Sequence, residues 1–394
     1  MSATYILSAA RTPIGKFLGS LSEHSAVELG ACAIRAALER SGIAADHVDE
    51  VIMGNILSAG LGQAPARQAA LSAGVPPSAS ALTINKMCGS GLQAVMLADQ
   101  AIRAGEAECV VAGGMESMSR APFLLTGARA GMKFGHQQVV DSMIHDGLWC
   151  AVEDMAMGAE ADYIAQTREV SRDDQDAFAV ESHRRAAEAV ASGAFRDEIA
   201  PVTLRTRKGE TVFDRDEGPR PETSAESLGK LKPAFGPEGT VTAGNASQLS
   251  DGAAAVVVVS QEFAERSRVP ARARIVATAT SGVPPKEIFI APVSAIERVL
   301  HKAELTLNEI DLVELNEAFA AQALACMRPL GLDHSRTNVH GGAIALGHPI
   351  GASGARVLAT LLAALEQRGL KRGLASLCLG GGNAVAMIVE RIEG

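Results

Sequence analysis

The two ends of this chain repeat one another, and the duplication limits the folds open to it. Three landmarks recur in the same order. Val48-Asp49-Glu50-Val51 resembles Ile310-Asp311-Leu312-Val313, and Ser90-Gly91 resembles Ser353-Gly354, each before a helical stretch. Gly113-Gly114 resembles Gly380-Gly381, each after a strand. Each match is weak alone, but three in one order favour duplication over chance. The repeat predicts two similar α/β halves that pack together.

Apolar runs that alternate with amphipathic stretches predict how each half is built. Apolar runs bounded by turn residues, typical of strands buried on both faces, occur at 51–54, 109–114 and 254–259. Helical spacing and strong helix formers occur at 26–41, 92–104 and 356–368. The alternation is βαβ-like and therefore predicts a largely parallel sheet covered by helices.

The stretch 121–242 differs in character from both repeats. It is richer in charge and proline, lacks long strand-like runs, and contains one clear polar helix, 172–192, with Ser171 as the expected N-cap. We interpret it as a loop domain inserted into the first half, where it could cover a site. The predicted divisions are 1–120 with 243–268 for the N-terminal half, 121–242 for the loop domain, and 269–394 for the C-terminal half.

Bulk composition narrows the class of protein. A chain of 394 residues exceeds the size at which one hydrophobic core usually keeps growing, so more than one domain is expected. The net charge of −9 has no basic blocks, so we expect no nucleic-acid partner and no attraction to anionic lipid. The six scattered cysteines include no CxxC pair, which favours reduced thiols and no metal. Without a signal-peptide pattern or a membrane-length apolar run, a soluble cytoplasmic protein is expected.

Cys88 is the first candidate for chemistry. It lies between a predicted strand end and the Gly-rich turn Gly89-Ser90-Gly91 that opens a helix. Unpaired N–H groups and the helix dipole at that position are expected to lower the thiol pKa and favour the thiolate, which is the nucleophilic form. The alternative is a small buried hydrophobic residue, since free cysteine is among the most buried residue types.

Further Gly-rich segments hold other reactive groups. His348, between Gly347 and Pro349, is a candidate base, and Cys378, just before Gly380-Gly381-Gly382, is a candidate acid or base beside a potential oxyanion hole. Asn316 ends a predicted strand, 312–315, with an amide that can orient a water or a histidine. Alternatives are a histidine satisfied by a backbone carbonyl and a packed strand-end cysteine. Because the repeat places Cys88 and His348 on equivalent loops, their joint occurrence favours a thiol-dependent active site.

These motifs resemble the thiolase family, in particular its acetyl-CoA acetyltransferase members. The resemblance spans essentially the whole chain and rests on five segments in order: Cys88-Gly89-Ser90-Gly91, Gly113-Gly114-Met115-Glu116-Ser117-Met118-Ser119, Asn316-Glu317-Ala318-Phe319, Gly347-His348-Pro349 and Cys378-Leu379-Gly380-Gly381-Gly382. It implies an α/β thiolase fold: two duplicated βαβαβαββ halves in a five-layered αβαβα arrangement with an inserted loop domain. It also implies a homotetramer (a dimer of dimers), with acyl-CoA and CoA as substrates and no cofactor.

The resemblance assigns a role to each reactive group. Cys88 would carry the acyl group as a thioester, with His348 as its activating base. Cys378 would remove a proton from the α-carbon of a second acetyl-CoA, and the carbanion would attack the acyl-enzyme in a reversible Claisen condensation. His348, with a water held by Asn316, would stabilise the enolate oxygen, and the N–H groups of Cys88 and Gly380 would hold the thioester oxyanion.

The coenzyme A contacts also follow from the resemblance. The implied contacts are Arg220 near the adenine and phosphate end, with Leu148, Met157, Ser227, Ala243, Ser247 and Phe319 along the pantetheine channel. For Arg220 the alternative is a solvated charge in a polar loop. The sequence contains no P-loop or dinucleotide fingerprint that could bind a nucleotide otherwise.

Two departures from the short-chain pattern leave the acyl chain length open. Ala156 stands where short-chain biosynthetic members usually have histidine, and Phe289 replaces a glycine beside the acyl site. Phenylalanine could restrict the pocket to acetyl groups or reposition the loop to admit longer ones. A broader 3-ketoacyl-CoA thiolase of β-oxidation or aromatic degradation, and a non-catalytic acyl-CoA-binding protein of the same fold, are therefore the alternatives.

Overall fold

The computed structural model describes residues 3–206 and 209–392, which form a mixed α/β structure. The strands are β1 Thr4–Arg11, β2 Gly15–Lys16, β3 Glu50–Gly54, β4 Ser80–Ile84, β5 Cys109–Ser117, β6 Phe123–Leu124, β7 Val140–Asp141, β8 Trp149–Cys150, β9 Met155–Ala156, β10 Val202–Thr206, β11 Gly209–Phe213, β12 Ser250–Ser260, β13 Ala273–Gly282, β14 Leu312–Leu315, β15 Arg372–Leu379 and β16 Asn383–Arg391. The helices are α1 Ala26–Ser41, α2 Pro65–Ser72, α3 Ser90–Ala104, α4 Met157–Thr167, α5 Arg172–Ser192, α6 Ala225–Gly229, α7 Gln261–Ser267, α8 Ala291–Ala303, α9 Ala320–Leu330, α10 Ala343–Leu346 and α11 Ser353–Gln367.

The large sheet shows the duplication in its strand order. Strands run β14-β15-β16-β13 and then β1-β12-β5-β3-β4, so the order of the second half mirrors that of the first about the β13–β1 junction. The prediction of a largely parallel sheet is wrong. Among the described strands of this sheet, only β3 with β4, β3 with β5, and β14 with β15 are parallel, whereas the central strands are antiparallel. Buried apolar runs occur in both kinds of sheet when both faces are covered, so the runs could not reveal strand direction.

One landmark of the predicted repeat is out of register. In the first half Glu50 pairs with Val110, and in the second half its counterpart Leu312 pairs with Gly373. Counting along the two strands then aligns Gly113 with Ser376, inside β15, rather than with Gly380 beyond its end. Position 114 requires glycine for a reason unrelated to the repeat, because a Cβ there would collide with the backbone carbonyl of Gly351 from the other half.

Helices α3 and α11 form the central layer between the two halves of the sheet. α3 contacts β5, and α11 contacts β12 of the first half as well as β15 of the second. α1 packs against β1 and β12, and α8 packs against β13 and β16. Helices and sheet halves therefore alternate as the predicted αβαβα layers, with the N-termini of α3 and α11 close together in the middle.

The insertion lies between β5 and β12, where the second half has only the short turn 380–382 between β15 and β16. Its polar helix is confirmed with the predicted bounds, and Ser171 caps it by accepting a hydrogen bond from the Asp174 N–H. The strands described in this segment are between two and five residues long. In the part of the chain that the structure describes, no helix is long and apolar enough to cross a bilayer.

Candidate active site

Cys88 lies on a tight turn between β4 and the N-terminus of α3. Met87, just before it, has a φ of 48°, a left-handed conformation that is uncommon for a residue with a side chain. The Ser90 hydroxyl fixes this turn, because its oxygen accepts from the Lys86 N–H at 2.7 Å while its proton goes to the Met87 carbonyl, also at 2.7 Å. The turn therefore keeps Cys88 outside α3, which begins at Ser90.

His348 lies on the equivalent loop before α11, as the repeat predicted. Its Nδ1 is 2.6 Å from the Ser353 hydroxyl, which is 3.0 Å from the Pro349 carbonyl. A carbonyl only accepts, so the serine proton points to Pro349 and the serine oxygen accepts from Nδ1–H. Nε2 is then the basic nitrogen, and it is buried without a hydrogen-bond partner among the described residues. The ring is thus not satisfied by a backbone carbonyl, which was the structural alternative.

Cys378, Gly380 and Asn316 lie at the ends of two neighbouring parallel strands of the second half. Cys378 is the penultimate residue of β15 and Asn316 follows β14, whose Leu315 is in register with Ser376. The Asn316 amide is 1% exposed, and neither its oxygen nor its nitrogen has a partner among the described residues. It can therefore donate to and accept from a water or substrate.

Both cysteines and His348 line one small cavity of about 50 Å³. Its other walls are the side chains or backbone of Met87, Gly147, Leu148, Met157, Ser247, Ile288, Phe289, Ala318, Phe319, Ile350 and Gly380. The ring of Phe289 is 2% exposed and meets that of Phe319 edge to face, with their centroids 5.2 Å apart. The space beside the thiols is therefore narrow and bounded mainly by apolar groups.

An outer cavity of about 610 Å³ adjoins this inner one. The two share Leu148, Met157, Ser247, Phe319, His348 and Ile350 as lining residues. Ala243 lines the outer cavity, whereas Arg220 and Ser227 are exposed and are absent from the described residues lining either one. Clefts of about 590 and about 510 Å³ elsewhere on the described surface are lined by neither cysteine nor histidine.

The expectation that the helix N-terminus lowers the pKa of Cys88 is wrong for the protein without substrate. Burial raises the pKa of this thiol to about 12, and the negative charge of Glu116 adds to the rise. The backbone N–H groups of Cys88 and Gly380 point at the thiol and oppose the effect without cancelling it. Desolvation therefore outweighs these two N–H groups, and the resting thiol is protonated at neutral pH.

The other two groups are also held neutral. Burial, assisted by the positive charge of Arg356, lowers the pKa of His348 to about 3, so the imidazole is unprotonated and can accept a proton. Burial raises the pKa of Cys378 well above its ordinary value, and the neighbouring thiols of Cys88 and Cys326 raise it further. The site therefore contains two thiols and one free base, a set suited to moving protons between sulfur atoms.

Several residues that shape the cavities were not predicted from the sequence. Ser353 was noted only as a repeat landmark, yet its hydroxyl orients His348. Met87, Ile288 and Ile350 wall the inner cavity and carry no chemical signature of their own. Only their positions beside motif residues could have indicated them. Among residues 3–206 and 209–392, no group of three or more His, Cys, Asp or Glu side chains is arranged to hold a metal ion.

Comparison with known proteins agrees with this geometry. The family model for the N-terminal domain of thiolase matches residues 4–262, and that for the C-terminal domain of thiolase matches residues 269–391. An acetyl-CoA acetyltransferase of Pseudomonas aeruginosa is 54% identical over 392 residues, covering 99% of this chain and 100% of the relative. Another from Escherichia coli K12 is 52% identical over 394 residues, covering 100% of both. The crystal structure of the Bacillus anthracis acetyl-CoA acetyltransferase superposes with a TM-score of 0.98 at 42% identity, covering 100% of this chain and 99% of that one. The chain belongs to the thiolase family.

Proposed function

We propose that this protein is an acetyl-CoA C-acetyltransferase, which condenses two acetyl-CoA molecules to acetoacetyl-CoA and CoA and catalyses the reverse thiolysis. The observation that carries the proposal is the inner cavity of about 50 Å³, which holds Cys88, His348 and Cys378 together behind Phe289. The names of the relatives, which are acetyl-CoA acetyltransferases, support the same activity.

In the first half-reaction Cys88 becomes acetylated. The neutral His348 Nε2 takes the thiol proton as the sulfur attacks the thioester carbonyl carbon, and the carbon–sulfur bond to CoA breaks. Cys378 gives its proton to the departing CoA thiolate and becomes a thiolate paired with protonated His348. The N–H groups of Cys88 and Gly380 stabilise the oxyanion that forms during the attack. The elevated thiol pKa makes this base necessary, since little thiolate exists beforehand.

In the second half-reaction a carbon–carbon bond forms. The Cys378 thiolate takes a proton from the α-carbon of a second acetyl-CoA, and the enolate carbon attacks the acetyl carbonyl on Cys88. The bond between that carbonyl and the Cys88 sulfur breaks, and the sulfur recovers its proton from His348, so every group returns to its starting state. The unpartnered amide of Asn316 supports its proposed part, which is to hold a water against the enolate oxygen.

The outer cavity is the proposed channel for the pantetheine arm. Its volume of about 610 Å³ falls within the range usual for small-molecule sites, roughly 300–1,000 Å³. Leu148, Met157, Ala243, Ser247 and Phe319 line it or the inner cavity, which supports their assignment. For Arg220 and Ser227 the support is the family resemblance alone. From the same resemblance we propose a cytoplasmic homotetramer that uses no cofactor.

Chain-length selectivity tests this proposal against the broader thiolase. We expect the wild-type protein to cleave acetoacetyl-CoA with a higher kcat/KM than 3-ketohexanoyl-CoA. Phe289→Leu should shift the ratio of the two values towards the longer substrate by about tenfold, because one methylene in an apolar pocket changes discrimination by about 1–3 kcal/mol. The measurement is CoA-dependent thiolysis of both substrates.

Phe263→Leu is the matched control, because Phe263 is also buried, at 5% exposure, but lies outside both cavities. Its ratio should equal that of the wild type. Preference of the wild type for the longer substrate would favour the 3-ketoacyl-CoA thiolase, and absence of turnover with either substrate would favour the non-catalytic protein.

A further inference from the structure

Glu116 is a fully buried carboxylate, near the end of β5, to which neither the sequence motifs nor the proposed mechanism gives a role. Its Oε1 accepts from the Asn55 side-chain amide at 2.9 Å and from the Leu57 N–H at 3.1 Å. Its Oε2 accepts from the Ile56 N–H at 3.1 Å and from the Gly351 N–H at 3.0 Å. Four donors from two separate loops therefore converge on one side chain.

The two loops come from different halves of the molecule. Residues 55–57 follow β3 of the first half, and Asn55 is also bound through its own N–H to the carbonyl of Ile84, at the end of the strand that leads to Cys88. Gly351 belongs to the second half and lies between His348 and Ser353, the hydroxyl of which fixes the imidazole. One carboxylate thus connects the surroundings of the nucleophile to those of the base.

The same contacts adjoin an apolar cluster beside the inner cavity. Ile56, Leu57 and Ile350 belong to one cluster, against which Met87 and Cys88 lie. Gly351 is required for this approach, since a Cβ there would stand 2.8 Å from Glu116 Oε2. Of the three apolar residues, Ile350 also lines the inner cavity, so the hydrogen bonds to Glu116 support one of its walls from behind.

We propose that Glu116 is a positioning residue that holds the 55–57 and 349–351 loops together and so aligns His348 with Cys88. The catalytic consequence of this role rests on the proposed function, whereas the four hydrogen bonds that hold the loops together do not. The ionised carboxylate suits this position, because it is acceptor-only and offers about four lone-pair sites. Burial raises the pKa of Glu116 to about 7, and the N–H groups of Ile56, Leu57 and Gly351 oppose the rise by favouring the ionised form. A glutamine would present its NH₂ group to two of the four donors in either orientation of the amide.

Glu116→Gln tests the proposal with two independent readouts. Hydrogen exchange should accelerate in the substrate-free protein for the amides that face the introduced NH₂ group, which are either Leu57 or both Ile56 and Gly351, because their acceptor is replaced by a donor. The kcat for acetoacetyl-CoA thiolysis should fall at least tenfold while the KM for acetoacetyl-CoA stays within twofold, because the residues that bind this carboxylate, 55–57 and 351, lie outside the lining of the outer cavity.

Glu198→Gln is the matched control. Glu198 is buried at 2% exposure and accepts from Arg11 and Thr360, but it lines neither cavity. This variant should lose thermal stability and keep the kcat of its folded fraction. The proposal is overturned if amide exchange is unchanged in Glu116→Gln, if its kcat stays within twofold of wild type, or if its activity falls only in proportion to the folded fraction.

Asn55→Ala decides the matter if Glu116→Gln does not fold. It removes one of the four donors and leaves the carboxylate, so we expect a several-fold loss of kcat with an unchanged KM, and an undiminished kcat would contradict the proposal. If the wild-type protein does not turn over acetoacetyl-CoA, the proposed function is wrong. The hydrogen-exchange experiment still tests whether Glu116 holds the two loops together.

Discussion

At the scale of single residues, the site holds a protonated thiol and a free base rather than a preformed thiolate. Cys88 has two N–H groups aimed at its sulfur, yet burial raises its pKa to about 12. His348 has the complementary property, because burial lowers its pKa to about 3 and leaves Nε2 free. The glycines and the proline beside these residues indicate them in the sequence. The direction of the thiol pKa shift is not indicated there, because it depends on desolvation by segments remote in the chain.

The raised pKa of Cys88 predicts the pH dependence of its alkylation. At any pH well below a thiol pKa of about 12, raising the pH by one unit increases the thiolate fraction tenfold. The rate of alkylation by iodoacetamide should therefore keep rising about tenfold per unit from pH 7 to pH 10. The measurement is quantitative peptide mass spectrometry of the residue 88 peptide, with Cys88→Ala as the background. A rate that levels off near pH 8 to 9 would show an ordinary or lowered pKa and contradict this account.

At the scale of elements, local and long-range features differ in how well the sequence predicted them. α1 and α5 have the predicted bounds, because helical spacing and an N-cap serine are read from neighbouring residues. Strand direction was wrong because the pairing of β1, β12 and β13 depends on partners far away in the chain. The sequence likewise did not predict the contact between α3 and α11. It occurs at the equivalent glycines of the repeat, where a Cβ on Gly91 would stand 2.7 Å from the Ala355 nitrogen.

Gly354→Ala should therefore separate α3 from α11. An added Cβ would collide with the backbone nitrogen of Leu92, so helix displacement is required, at a cost of about 1–3 kcal/mol in the free energy of unfolding. Chemical denaturation measures this loss. Gly229→Ala in α6 is the control, since a Cβ there meets nothing within 4 Å and should change stability by about 0.5 kcal/mol or less. Equal stability of the two variants would show that the helices do not depend on this close contact.

At the scale of the whole molecule, duplication explains why the site lies where it does. Packing two similar halves through α3 and α11 brings their equivalent loops together, one with Cys88 and the other with His348. The segment between β5 and β12 supplies Leu148, Met157 and Ala243 to the two cavities. Two of the three matched landmarks indicated the repeat in the sequence, and a change of composition indicated the segment between β5 and β12. The size of the inner cavity was not, because it depends on how Phe289 and Phe319 meet.

Acetylation of the Cys378→Ala variant tests the division of labour between the two thiols most directly. After incubation with acetyl-CoA, peptide mass spectrometry should find one acetyl group on Cys88, while no acetoacetyl-CoA accumulates, because the proposed acyl acceptor is intact and the group proposed to remove the α-proton is missing. Cys88→Ala, as the control, should remain unacetylated. Formation of acetoacetyl-CoA by Cys378→Ala at nearly the wild-type rate, or an unmodified Cys88 in both the wild type and this variant, would contradict the account.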